Sequence, residues 1–258
     1  MNKILALASV VLRELYRRKD FYVLFVIVAL ITLLLGSVNV FNDTQVVRYL
    51  KEVCLLLIWI AALVIAVTTA ARQIPSERES RTIFPLLAKP VSRAELVLGK
   101  FLGCWLACGV ALIAFYLFFT LITLAREHTL PLASYFQAFW LHWMMLAVVI
   151  AFTLLGSLVF TAPSVNSTVT LILVAGVLLL GRHLNKVAAQ LPEPLGLIVS
   201  PIYFAIPHLE LFDVRDLIVH NWKPIAWTAW SLATLYAAAY AALFLGSACL
   251  VFRRKPVN

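Results

Sequence analysis

Long apolar runs separated by short charged stretches set the pattern of this chain: residues 21–40, 53–71, 101–124, 139–160, a fifth run at 165–184 and a sixth at 225–252. Each approaches the roughly 20 residues that an α-helix needs to cross a hydrocarbon core of about 30 Å. The pattern predicts an all-α integral membrane protein with six transmembrane helices in a single domain, 1–258. The fifth run is the least secure, because its strictly apolar part, 168–181, is too short unless polar Asn166 and Ser167 extend it. A rival seventh span at 195–206, LGLIVSPIYFAI, contains Pro201 and would carry Arg253, Arg254 and Lys255 to the other side. A re-entrant or interfacial piece suits it better.

The residues ahead of the first run, 1–20, have a different period. Ile4, Ala8, Val11, Leu12 and Leu15 recur at helical spacing, with Lys3, Arg13, Glu14, Arg17 and Arg18 largely on the other side. This predicts an amphipathic helix lying on the inner leaflet and turning into the membrane near Asp20, in preference to a solvated basic tail.

Composition agrees. Hydrophobic residues make up 63% of the chain and charged ones 13%, with mean hydropathy +0.97, far from the roughly half-apolar usage of soluble domains. The first apolar run lacks a small-residue cleavage site, so it is expected to be a retained helix rather than a secretory signal. The net charge of +9 then becomes a question of sidedness. With a cytoplasmic N-terminus, the inner segments hold twice as many Lys and Arg as the outer ones, which puts both termini and the 72–100 passage in the cytoplasm.

Chemistry within the spans is sparse. Asp, Glu, Lys and Arg are absent from their confident parts, and His142 is expected near an interface beside Trp140 and Trp143. A proton-coupled transporter or an intramembrane protease would place ionisable groups at depth, so the energy for any transport is expected to come from outside the membrane. Cys54, Cys104, Cys108 and Cys249 lie in apolar segments and read as packing residues. Cys104 and Cys108 share a helix face, which admits a copper(I) reading, but with Gly103 and Gly109 alongside, helix packing is the better account.

The segment 72–100 reads RQIPSERESRTIFPLLAKPVSRAELVLGK. Pro85 and Pro90 interrupt any long helix, and Ser92 with Glu95 has the form of a capping box, so a helix should start there and run through Gly99 into the third span. An ordinary solvated loop would explain the basic residues. It would not explain apolar Ile83, Phe84, Leu86 and Leu87 framed by charges, which suit a surface that another protein covers.

These residues resemble the cytoplasmic loop of ABC-2 type transporter permeases, and most closely the multicopper-enzyme-maturation group that includes the nitrous-oxide reductase maturation permease. The resemblance is carried by Glu77, Glu79, Thr82, Leu86, Leu87, Lys89, Pro90, Ser92, Arg93, Glu95, Gly99, Lys100 and Gly103, with PHLELFDVRDLIVH at 207–220 as a second match. It implies a coupling helix within 72–100 that sits in a groove of a separate cytoplasmic ATPase, through Glu77, Glu79, Arg81, Thr82, Leu86, Leu87, Lys89, Pro90, Ser92, Arg93, Glu95 and Lys100. It also implies a second permease copy, identical or homologous, and a bacterial inner membrane. Pro75, Pro85 and Arg81 depart from the commoner pattern.

The chain has no G-x-x-x-x-G-K-[ST] motif, so ATP and Mg are expected to act through the partner ATPase, with no cofactor or metal on this chain and no nucleic-acid partner. TAPSVNS at 161–167 should be a second, smaller contact. Within the external segment 185–224, the resemblance implies re-entrant helices forming a gate at Pro201, Tyr203, Phe204 and Pro207, while the residues alone also fit a surface loop with interfacial aromatics. His183, His208 and His220 read as loop histidines. The function expected is a permease subunit for ATP-driven export of an unidentified substrate. The alternative is a non-transporting membrane anchor that scaffolds a complex through the same loop.

Overall fold

The computed structural model describes residues 3–17, 19–37, 43–79, 92–127, 131–190 and 206–254, with backbone alone at 15–17, 20, 35–37, 43–46 and 180–190. The described chain is helical throughout: α1 (Lys3–Arg17), α2 (Lys19–Ser37), α3 (Asp43–Arg72), α4 (Pro75–Glu79), α5 (Arg93–Glu127), α6 (Leu132–Val159), α7 (Pro163–Gln190), a 3₁₀ turn (Leu209–Phe212), α8 (Arg215–Val219) and α9 (Trp227–Arg254). Among the described residues, four stretches are long and apolar enough to cross a bilayer: Val47–Glu79, which takes in most of α3 and all of α4, and the helices α5, α6 and α9. Shorter apolar segments, Phe21–Leu34 in α2 and Pro163–Leu179 in α7, accompany them. This is an all-α integral membrane protein.

Helices α3 and α6 form the middle of the bundle. α3 packs against α2, α5, α6 and α7, and α6 against α3, α5, α7 and α9. Their shared core includes Ile58, Ala62, Ala66, Leu141, Met145, Val149 and Leu154. By contrast α9 shows Leu232, Leu235, Leu243 and Leu250 on the outside of the bundle. In water that face would be a liability, whereas in lipid it is the normal solvent-facing surface.

Two elements and one residue differ from the sequence expectation. α3 begins ten residues before 53 and takes in Arg48, Lys51 and Glu52. At about 1.5 Å per residue its 30 residues span about 45 Å, so its first turns stand beyond a 30 Å core. α6 begins at Leu132, seven residues before 139. That places His142 ten residues into the helix, and it is not an interfacial residue: it is buried, stacked on Trp59 at 5.7 Å and near Tyr116 at 6.2 Å. Neither ring nitrogen has a hydrogen-bond partner among the described residues.

Close helix approaches follow from small residues. Gly99 and Gly103 let α5 meet α1: a Cβ at Gly99 would lie 2.7 Å from Leu7 Cβ, and one at Gly103 would lie 2.7 Å from Val11 Cβ and 3.0 Å from the Ala8 backbone. Gly109 does the same for Trp143, whose indole stacks on Trp105 at 4.4 Å while each ring N–H donates to the other residue's carbonyl, at 3.0 and 3.1 Å. Where α6 turns into α7, Asn166 is buried and its Nδ2 donates to the Thr153 carbonyl at 3.0 Å. A Cβ at Gly156 would overlap Asn166 Oδ1. The uncharged turn at 160–162 therefore has a polar anchor folded inside the helix pair.

Candidate coupling site

The end of the bundle that holds α1, α4, the start of α5 and the end of α9 gathers several of the sequence-predicted residues. α3 stops at Arg72, and a turn through Gln73 and buried Ile74 leads into α4. Pro75 is the first residue of α4, where its fixed φ and missing N–H cost nothing. One turn is enough to bring the Glu77 carboxylate to Lys100 Nζ in an ion pair, with Lys100 buried in the packed side of α5. A buried Lys in apolar surroundings persists only with such a partner. Glu79, at the end of α4, is exposed.

Helix α5 starts as the capping box predicts. Ser92 Oγ accepts from the Glu95 N–H at 3.2 Å, and the Ser92 N–H donates to Glu95 Oε2 at 2.6 Å. Arg93 turns the other way: Nη1 donates to the Phe252 carbonyl at 2.5 Å and to the Arg253 carbonyl at 3.3 Å. Its guanidinium carbon lies 5.3 Å from the centroid of the Phe252 ring. A cation on the last free carbonyls of a helix satisfies orphan acceptors and complements the negative end of its dipole. Thus α9 is capped by the first residue of α5.

Of the residues expected at the ATPase contact, Glu77, Ser92, Arg93, Glu95 and Lys100 meet at this end. Arg81, Thr82, Leu86, Leu87, Lys89 and Pro90 lie outside the described residues, as do Pro201, Tyr203 and Phe204 of the expected gate. Pro207 is described. It accepts from the Leu209 N–H at 2.9 Å and lines an apolar cavity of about 290 Å³ with Phe152, Val174, Leu209 and Phe244.

The opposite end carries polar groups that sequence reasoning missed. Lys51 is buried and pairs with Glu127 at 2.5 Å, while its Nζ also donates to Asn221 Oδ1 at 3.1 Å and the Ile218 carbonyl at 3.3 Å. Asn221 holds φ at 52°, the left-handed conformation that Asn tolerates better than most residues. Nearby, Arg48 Nη2 donates to His220 Nε2 at 2.7 Å. The available signal was the unbroken helical stretch from Asp43 to Val53, with no Pro or Gly to keep Lys51 out of the span.

In the 207–220 segment, Arg215 Nε and Nη2 donate to the two Asp213 oxygens at 2.7 and 2.9 Å. Burial opposes the Arg215 charge, but the Asp213 carboxylate outweighs it and raises the guanidinium pKa. The guanidinium carbon lies 5.2 Å from the centroid of the Trp59 ring, which ties this segment to α3.

No curated protein matches the chain. The family described as ABC-2 family transporter protein matches it over residues 5–255, from the first turn of α1 to just past α9. A bundle of membrane-length helices, with a charged, capped helix junction at one end, is matched along almost its entire length, and the protein therefore belongs to the ABC-2 transporter family as a multi-pass permease subunit of an ABC transporter.

Proposed function

We propose that this permease forms the membrane path of an ABC exporter, and that the end bearing Glu77 and Lys100 receives the force of ATP hydrolysis. The family implies an ABC ATPase partner. The observation that carries the reading is the pairing of α4 with α5 through a buried ion pair, next to the capping box that starts α5 and the contact that holds α1. A displacement of α4 would pass to α5 through a charge pair that is costly to break, and from there to α1 across the Gly99 and Gly103 contacts. The residues of 80–91 would supply the docking surface itself, with Arg81, Leu86, Leu87 and Lys89 against the ATPase groove.

In this reading ATP and Mg belong to the ATPase, this chain binds no cofactor of its own, and two permease copies stand side by side with both termini in the cytoplasm of a bacterial cell. The excess of Lys and Arg at that end supports the orientation. The narrower resemblance to the multicopper-enzyme-maturation group rests on the loop residues.

Affinity purification of the tagged protein in mild detergent tests the proposal. A stoichiometric protein with a phosphate-binding loop should co-purify, bringing ATPase activity with it, and replacing Glu79 and Arg81 together should reduce both. Recovery of a different partner, with no nucleotide dependence in lipid discs, would favour the anchor reading instead.

A further inference from the structure

A cleft of about 480 Å³ lies between α3, α7 and the short elements ahead of α9. Its α3 wall is made by Leu56, Trp59, Ile60 and Leu63, spaced to share one helix face, and its α7 wall includes Leu178 and Leu179. Leu56, Ile60 and Leu179 are exposed, so the cleft is reached from the flank of the bundle, where acyl chains would lie. The charged groups of its lining, Glu210, Asp213 and Arg215, all come from the short elements ahead of α9.

Two carboxylates and one guanidinium line that end of the cleft, so one carboxylate is left over from the Arg215 pair. Arg215 is matched by Asp213 through two parallel hydrogen bonds, so its fork is occupied. Glu210 meets His208 Nδ1 through Oε1 at 3.2 Å, whereas Oε2 is shielded from water and has no hydrogen-bond partner among the described residues. His208 is not part of the cleft lining, so the Glu210 carboxylate is the acceptor that the cleft itself offers beyond the Arg215–Asp213 pair. The terminal carboxylate torsion is soft, so a partial rotation can aim an oxygen into the cleft that Glu210 lines. The Arg215 guanidinium rests against the Trp59 ring, which places that ring at the polar end of the cleft.

We propose that this cleft binds a protonated amine carried on an apolar body, the ammonium at Glu210 beside Trp59 and the apolar part along α3 and α7. An anion would meet an unbalanced carboxylate, with Arg215 already engaged. A neutral apolar ligand would leave Glu210 Oε2 without a partner in a low-dielectric site. The volume falls within the range of small-molecule sites. That this class is also the transported one rests on the export reading; the binding itself does not.

The test uses the full-length permease, without ATPase, in discs of phosphatidylcholine. Binding of tritiated dodecylamine is measured with dodecanol and dodecanoate as competitors of equal length. Saturable amine binding should be competed by unlabelled amine alone, and should weaken at least tenfold in Glu210→Gln and in Ala175→Trp. The second variant fills the cleft from exposed Ala175 without touching the carboxylate. Leu250→Ala, on the outer face of α9, should bind as the wild type does. If Glu210→Gln lowers the unfolding midpoint, Ala175→Trp decides. Equal competition by dodecanoate, or wild-type affinity in both variants, would overturn the proposal. With the ATPase reconstituted, amine binding without amine-stimulated hydrolysis would keep the cleft and remove the export reading. Hydrolysis stimulated by another substrate, with no amine bound, would do the reverse.

Discussion

Gly103 and Gly176 respond in opposite ways to one added methyl group. At Gly103 a Cβ would press on the Ala8 backbone, which cannot rotate aside, so Gly103→Ala should lower stability by about 1–3 kcal/mol. Gly176 has open space on that side, and Gly176→Ala should raise stability by up to about 1 kcal/mol through helix propensity. Unfolding midpoints in detergent would show the two signs. His142 is a third case, because its ring is desolvated with neither nitrogen bonded among the described residues. His142→Phe should stabilise the fold by about 1–2 kcal/mol, and a lowered midpoint would mean that those nitrogens are engaged in the assembled protein. Gly103 was legible as a small residue at helix-packing spacing, although the sequence did not show that α1 is the neighbour. His142 was misplaced because flanking Trp140 and Trp143 look like an interfacial belt, while in the bundle Trp143 packs inward on Gly109.

At the scale of elements, the start of α5 was the most readable feature. Its capping box is local, with donor and acceptor three residues apart, and sequence displays local chemistry directly. Ser92→Ala should cost about 1 kcal/mol and fray the first turn, which faster amide exchange at 93–96 would reveal. The early start of α3 was hidden, since a charged flank ordinarily marks the edge of a span. Lys51 enters the packed end of the bundle only because Glu127, Asn221 and the Ile218 carbonyl surround its ammonium. Lys51→Met should therefore destabilise by about 3 kcal/mol, toward the low end for buried pairs because Glu127 keeps 21% of its side-chain surface exposed. Adding Glu127→Leu should recover most of that loss, as a double-mutant cycle on thermal midpoints would show.

For the whole molecule, the four membrane-length helices were legible among the six expected spans because lipid imposes length and apolarity on every crossing. The joints between them were not, since Arg93 and the carbonyls it caps are separated by 159 and 160 residues. No periodicity reports a contact of that range. The Glu77–Lys100 pair is the joint on which the proposed coupling depends. Glu77→Lys should lower ATPase stimulation severalfold, and Glu77→Lys combined with Lys100→Glu should restore it. A double variant no better than the single one would place the coupling elsewhere.

The docking of α1 against α5 also bears on how the chain is made. Gly99 and Gly103 leave the ribosome about 90 residues after the helix they receive, a delay of roughly 5–20 s at ordinary rates of elongation. During that interval the nascent α1 has an apolar stripe and no protein to cover it. Its basic, amphipathic sequence suits a temporary berth on anionic headgroups. The same stripe that later grips α5 would thus hold the first helix at the membrane surface while its socket is being synthesised, so a substitution there would show first as a defect in biogenesis.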